Sequence, residues 1–183
     1  PNAGTIGQWN STLIPFATVP VHISLLPNGK ILYWGRDKEM IHNKETGLDE
    51  LQDVTGRSNA YVVDPQFFFN NPIANTATYA NGNTNLFCGG HSFLPDGRLL
   101  VAGGHDKNPD FPFSEGLGAK GLNIFDHMKT FIPGASPWTT HSTGMSLGRW
   151  YPYNVTLANG NVVIAGGSFW TNRNNPTQQP DTD

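Results

Sequence analysis

The sequence is poor in cysteine, in charge and in long apolar runs, and each shortage excludes a class of protein. A single cysteine, Cys88, allows no internal disulfide and no zinc site of the multi-cysteine kind. Charged residues make up only 14% of the chain and the net charge is −3, so the basic footprint of a nucleic-acid-binding protein is missing. No apolar run reaches the roughly 18 residues of a membrane-spanning helix.

Turn-forming residues are plentiful instead. The chain contains 21 glycines and 14 prolines, and apolar residues at helical spacing are rare. This composition indicates an all-β protein of many short strands. The chain begins at Pro1 without a signal-peptide core, so we expect any signal peptide to have been removed. Two sequons, at Asn10 and Asn154, agree weakly with a secreted or cell-surface location.

One strand–turn–strand pattern occurs three times, in residues 22–35, 87–104 and 153–167. The turns are Asn28-Gly29, Asp96-Gly97 and Asn159-Gly160, and each turn glycine is followed six residues later by another glycine. Such pairs favour two-residue hairpin turns with positive φ at both central residues. The sequence therefore predicts three equivalent hairpins.

A further strand pair follows each of the first two hairpins. Residues 59–65 lead to a strand at 67–69, and residues 122–126 lead to one at 130–133, whereas residues 38–51 are interpreted as an excursion loop. Four strands per unit are typical of a propeller blade. We assign residues 1–13 to a lead-in with a closing strand, 14–84 to a first blade, 85–147 to a second and 148–183 to the start of a third. Two and a half blades would leave open edges, so we expect the chain to be one piece of a larger protein.

Repeat register brings two residues of interest together. Cys88 lies nine residues before Gly97 and Tyr151 lies nine before Gly160, while Pro20 holds the matching place in the first unit. Equivalent positions of neighbouring blades lie side by side around a propeller axis, so the register puts Cys88 and Tyr151 at the same height in adjacent blades, where their side chains can meet. The alternative is ordinary core packing, which is common for both residue types.

Three stretches resemble the copper-radical oxidases, the galactose oxidase and glyoxal oxidase group. They are residues 30–34 (Lys-Ile-Leu-Tyr-Trp), residues 87–91 (Phe-Cys-Gly-Gly-His) and residues 148–151 (Gly-Arg-Trp-Tyr) with the turn at Asn159-Gly160. The Arg-Trp-Tyr form is closer to the glyoxal oxidase branch. The resemblance covers most of residues 7–170 and implies the N-terminal part of a seven-bladed, kelch-like catalytic propeller.

That resemblance also implies a chemistry. Cys88 would be joined through a thioether to the ring of Tyr151, and Tyr151 would bind copper through its phenolate and carry a radical. Copper and radical would together oxidise small aldehydes or primary alcohols, with O2 reduced to H2O2. The family's other ligands, a tyrosine and two histidines, belong to later blades and a C-terminal domain. We therefore expect this chain alone to be inactive and to need the remainder of the propeller as its partner.

Other residues are weaker candidates for the same site. Phe169 or Trp170 would supply a ring that stacks over the cross-linked tyrosine, and His42 would lie on the substrate rim. Arg149 would pair with a carboxylate or a backbone carbonyl near the site. Each also has an ordinary structural reading, such as loop packing for the rings. A separate metal site formed by three of His22, His91, His105 and His141 is conceivable, but no spacing supports it.

Two alternatives to the oxidase stay open at this point. The chain could belong to a kelch-like propeller that binds a protein or a glycan and has no redox role. It could also belong to a relative that keeps the scaffold and binds no metal. The identity of the substrate does not follow from these residues.

Overall fold

The computed structural model describes residue 4 and residues 13–36, 38–43, 47–53, 58–67, 75–81, 84–106 and 117–169. These residues contain 14 strands: β1 (His22–Leu25), β2 (Ile31–Trp34), β3 (Lys38–Asn43), β4 (Leu48–Asp53), β5 (Ser58–Val63), β6 (Thr76–Asn81), β7 (Gly90–Phe93), β8 (Leu99–Ala102), β9 (His105–Asp106), β10 (Leu117–Gly118), β11 (Leu122–Phe125), β12 (Trp138–Thr140), β13 (Tyr153–Thr156) and β14 (Val162–Ala165). The all-β expectation is confirmed. No helix in the described ranges has the length and apolar character needed to cross a membrane.

The strands form antiparallel sheets that repeat one plan. The first sheet has the order β1-β2-β5-β6, and the second has the order β7-β8-β11-β12. The pairs β13–β14, β3–β4 and β9–β10 form two-stranded sheets. The three hairpins predicted from the repeats are therefore β1–β2, β7–β8 and β13–β14. The predicted closing strand falls almost entirely outside the described residues.

The predicted outer strands of the first two units were misplaced. Residues 65–67 and 127–131 form short 3-10 turns, and the outer strands are β6 and β12, further along the chain. The cause is the same in both units: an aspartate ends the preceding strand and its carboxylate accepts a backbone N–H two residues later. Asp64 accepts from Gln66 at 3.1 Å, and Asp126 accepts from Met128 at 3.0 Å. Residues 68 and 69, which belong to the strand predicted at 67–69, lie outside the described residues.

The excursion after β2 is a hairpin and not an irregular loop. Strands β3 and β4 pair from Lys38 with Asp53 to Asn43 with Leu48. The sequence lacks the alternation of apolar and polar residues that marks a half-buried strand, which is why the hairpin was not predicted.

The three repeated turns are also one residue longer than predicted. In the first, Gly29 N–H donates to the Leu26 carbonyl at 2.9 Å, Leu26 N–H donates to the Lys30 carbonyl at 2.8 Å, and Gly29 has φ 79°. Among these turn residues only the glycine has positive φ. This is a type I turn closed by a glycine bulge, and Pro27 sets its first central residue. The second and third turns repeat the same pair of bonds, at Leu94 and Leu157.

Successive turns contact each other in the same way. A Cβ built on Gly97 would lie 2.9 Å from Cγ of Pro27, and one built on Gly160 would lie 2.9 Å from Cγ of Pro95. The second and third turn glycines therefore each pack against the turn proline of the preceding unit. The three hairpins are thus related by one repeated displacement, which is the arrangement that the register argument requires.

The main core lies between the two four-stranded sheets. Its buried members come from both sheets, from the first turn and from the segment that joins the sheets: Leu26, Leu32, Trp34, Ala60, Val62, Leu86, Leu99, Val101, Phe125 and Trp138. Buried polar groups also link the sheets, since Asn81 Nδ2 donates to Asn123 Oδ1 at 3.1 Å and Trp138 Nε1 donates to the Tyr79 carbonyl at 3.3 Å. Apolar burial and satisfied polar contacts together fix how the first two units are placed.

The third hairpin is attached to the second unit through polar side chains. Asn154 Nδ2 donates to the Gly90 carbonyl at 3.0 Å, and Thr156 Oγ1 donates to the Phe93 carbonyl at 2.6 Å. The sequon at Asn154 therefore serves a structural contact, because its amide nitrogen and its threonine hydroxyl both bind β7. This pairing holds β13 beside β7 and so fixes Tyr151 relative to Cys88.

Candidate functional site

Cys88 and Tyr151 share an unusual backbone conformation. Cys88 has φ 64° and Tyr151 has φ 60°, and no other non-glycine residue in the described ranges has positive φ. Each lies in the short segment that leads into the first strand of a repeated hairpin, β7 for Cys88 and β13 for Tyr151. A left-handed conformation is costly for residues with a Cβ, so two instances in matching positions indicate a site at which the surroundings impose it.

The two residues are also bonded to each other. Tyr151 N–H donates to the Cys88 carbonyl at 2.8 Å. Their side chains share a hydrogen bond, and this bond, followed by burial, raises the pKa of Tyr151 to about 12. A phenol that donates to sulfur is favoured in its protonated form. The contact expected from register is therefore present, between both the backbones and the side chains.

The surroundings of the pair differ sharply between its two members. Cys88 is fully buried, whereas 51% of Tyr151 is exposed. The ring in contact with Tyr151 is that of Trp150, at a centroid distance of 4.7 Å and an angle of 57°. The phenol thus has one side against sulfur, one against an indole and one open to solvent.

A cation that was not a sequence candidate lies beside this pair. The Arg36 guanidinium lies over the ring of Phe87, 5.4 Å from its centroid. Its charge opposes the other influences on Tyr151 and acts to lower the pKa of the phenol. No spacing in the sequence marks Arg36, because it follows β2 and reaches the pair only through the stacking of neighbouring units.

The structure shows side-chain contacts for two of the four weaker candidates, Arg149 and Phe169. Arg149 Nη1 donates to the Gly166 carbonyl at 2.5 Å, so of the two kinds of partner considered for it the structure shows a backbone carbonyl. The ring of Phe169 lies 3.4 Å from the place where a Cβ on Gly148 would be. Trp170 lies outside the described residues, and only the backbone of His42, in β3, is described. The rim and stacking roles of these residues therefore stay predictions.

The histidine side chains that the structure describes are not gathered into a metal site. Within the described ranges no three His, Cys, Asp or Glu side chains are grouped so as to hold a metal ion. His22 and His91 are neighbours, with ring centroids 5.6 Å apart, but His141 is exposed and bonded within its own turn to Thr143.

The donor chemistry at the pair fits copper as a partial site. A phenol oxygen is a suitable copper(II) ligand, and its open side leaves room for a metal and for further ligands. Within the described ranges the site offers this single oxygen together with the neighbouring sulfur. A copper ion held here would need further ligands from outside these residues.

Comparisons with known proteins agree with the fold. No family model matches the chain. It is 27% identical over 165 residues to a WSC domain-containing protein of Arthroderma benhamiae (strain ATCC MYA-4681 / CBS 112371), covering 87% of this chain and 15% of that protein. Its structure resembles that of a novel fungal alcohol oxidase of the AA5 family, solved in complex with copper. The TM-score is 0.55 at 24% identity, over 83% of this chain and 26% of that one. The chain thus spans a small part of each relative, and the likeness to the oxidase is one of fold.

Proposed function

We propose that this chain carries the cross-linked tyrosine of a copper-radical oxidase that acts on small aldehydes or primary alcohols. The proposal rests on the Cys88–Tyr151 pair. The two side chains are in contact, the two residues hold matching positions in neighbouring units, and both have a left-handed backbone. The fold shared with a copper-containing alcohol oxidase supports the proposal. The resemblance of residues 87–91 and 148–151 to the glyoxal oxidase branch supports that finer assignment.

The residues present suit the two halves of this chemistry. Thioether formation removes one hydrogen from the Cys88 sulfur and one from a Tyr151 ring carbon ortho to the hydroxyl, and O2 accepts both as H2O2. Sulfur on the ring then delocalises the electron hole and makes the tyrosine easier to oxidise. Copper bound at the phenolate would supply a second one-electron couple. Oxidation of an alcohol to an aldehyde releases two electrons and two protons, which reduce another O2 to H2O2.

The rest of the reaction centre is proposed to lie outside this chain's residues. In that reading the chain forms the first blades of a kelch-like propeller, and later parts of the same protein supply a tyrosine and two histidines. Apolar side chains exposed on β1 and β13, such as Ile23 at 51% and Val155 at 55%, support further units on both flanks. A secreted or cell-surface location belongs to the same proposal.

Intact mass tests the proposal directly. The full-length protein is purified without copper and then given copper(II) in air. We expect a loss of about 2 Da and the disappearance of the Cys88 thiol from a thiol titration. A Cys88→Ser variant treated identically serves as the control and should keep its mass. A wild-type protein that keeps its mass and its titratable thiol would contradict the proposal.

The same variant separates the oxidase from the binding module. If the chain belongs to a kelch-like module for a protein or glycan, Cys88→Ser changes only packing and leaves binding intact. Under the proposed function it abolishes peroxide production from aldehydes and alcohols. A relative that keeps the scaffold and binds no metal would instead keep its mass and its Cys88 thiol and release no peroxide.

A further inference from the structure

His22 binds the backbone of Cys88 from the neighbouring unit. Its Nε2 accepts a hydrogen bond from the Cys88 N–H at 3.1 Å. Cys88 is fully buried and only 9% of His22 is exposed, so bulk solvent has little access to this hydrogen bond. An unpaired buried N–H is costly, which makes the imidazole nitrogen the natural partner of this group.

The imidazole is itself held in a fixed orientation. It stacks on the indole of Trp34 at 5.0 Å and 12°, and the His91 ring meets it edge-on at 5.6 Å and 78°. Trp34 is anchored in turn, because its Nε1 donates to the Leu86 carbonyl at 3.0 Å. Burial, and then the charge of His91, lowers the pKa of His22 to about 4, so Nε2 keeps its lone pair at neutral pH.

The backbone of Cys88 is consequently hydrogen-bonded at both its N–H and its carbonyl. His22 accepts its N–H from the first unit, and Tyr151 donates to its carbonyl from the third. The direction of the Cα–Cβ bond follows from φ and ψ. A residue that relaxed from φ 64° to an ordinary negative φ would swing its sulfur away from the phenol.

We propose that His22 is a positioning residue for thioether formation: it fixes the left-handed backbone of Cys88 and so aims the sulfur at the ring of Tyr151. The inference rests on the proposed function. The step it promotes joins the sulfur to a ring carbon, removes the S–H and C–H hydrogens, and passes two electrons and two protons to O2 as H2O2. In this role His22 acts through the backbone of Cys88 and takes no part in electron transfer.

Three substitutions in the full-length protein separate the hydrogen bond from the packing. His22→Phe keeps a ring against Trp34 and removes the acceptor. His22→Gln gives up the ring and places an amide oxygen near the position of Nε2. His91→Phe is the matched control, because His91 belongs to the same aromatic cluster. Each copper-free protein receives copper(II) in air, and the rate of the 2 Da mass loss is followed beside the melting temperature and the hydrogen exchange of the Cys88 amide.

We expect His22→Phe to slow the mass loss at least tenfold and to speed amide exchange at Cys88 at least tenfold. His22→Gln should stay within about threefold of wild type, and His91→Phe should do the same even if it melts as early as His22→Phe. Should His22→Phe fail to fold, His22→Asn replaces it, because its shorter amide cannot reach the Cys88 N–H.

Two results would overturn the inference, and they differ. Equal mass-loss rates in wild type and His22→Phe would show that the cross-link forms without His22, and the proposed function would stand. A wild-type protein that never loses the 2 Da would overturn the proposed function and, with it, the role of His22.

Discussion

Cys88 and Tyr151 occupy the same place in successive units and have the same left-handed backbone, yet Cys88 is fully buried and Tyr151 is half exposed. Cys88 has a neighbour on each side, His22 of the first unit and Tyr151 of the third. Tyr151 has Cys88 on one side, and half of its surface faces solvent. The difference arises from the neighbours of the two residues, since their own conformations match.

The hairpins that follow these residues show the same contrast. All four residues of β8 are buried, whereas β14 alternates between half-buried and exposed, with Val163 at 46%. On the opposite flank, β1 also shows an exposed outer face, including Leu25 at 66%. A sheet face in this fold becomes buried only when another unit stacks on it. If the proposed function holds, the open side of Tyr151 is therefore where further copper ligands should lie.

The largest expected effect comes from removing the open phenol. Tyr151→Phe takes away the oxygen that would bind copper and the group that would hold the radical, so oxidase activity of the full-length protein should fall at least about 1,000-fold. Tyr153→Phe is the control, because Tyr153 lies two residues further along and is 77% exposed. Peroxide release with a panel of aldehydes and alcohols measures both. Equal activities in the two variants would remove Tyr151 from the reaction.

The sequence predicted the repeat, the register and the Cys88–Tyr151 contact, because glycine and proline punctuation directly encodes turns. It misplaced the outer strands, where Asp64 and Asp126 start 3-10 turns through local hydrogen bonds that compete with strand formation. It also missed the link from His22 to Cys88 and the approach of Arg36. Both depend on how one unit stacks on the next, and a single sequence carries no spacing signal for such contacts.

His22, which packs against Cys88, should make the free energy of unfolding depend on pH in the acid range. The unfolded chain protonates His22 near its ordinary pKa of 6.5, whereas the folded protein does so near a pKa of about 4. The unfolded state therefore binds more protons in this range. The free energy of unfolding should be fully retained above about pH 6.5 and should fall by roughly 3 kcal/mol as the pH drops to 4.

Denaturant unfolding of wild type and His22→Gln between pH 4 and 7 measures this contribution. Burial also lowers the pKa of His91, which adds a pH dependence of the same sign to both proteins. The difference between the two curves therefore reports the contribution of His22 together with its coupling to the charge of His91. Parallel curves would mean that His22 takes up its proton in the folded protein as easily as in the unfolded chain.

A pair of valine truncations tests whether the third hairpin is covered in the whole protein. Val101→Ala in the buried β8 should lower the free energy of unfolding by about 2 kcal/mol. Val163→Ala on the exposed face of β14 would cost less than about 0.5 kcal/mol if that face stays open. We expect a cost above about 1 kcal/mol in the full-length protein, because another unit should bury it. A negligible cost, measured by denaturant unfolding, would leave the open side of Tyr151 without a neighbour.

The smallest expected effect concerns the repeated contact between turns. Gly29 and Gly97 have similar positive φ, 79° and 82°, so alanine should cost about 1 kcal/mol at either place through the backbone alone. A Cβ on Gly97 would also meet Pro27 at 2.9 Å, whereas one on Gly29 has no atom within 4 Å among the described residues. Gly97→Ala should therefore cost roughly 1 kcal/mol more than Gly29→Ala. Equal costs near 1 kcal/mol would show that Pro27 moves aside without strain. Equal costs near 2 kcal/mol would show that a further unit packs against Gly29 as Pro27 packs against Gly97.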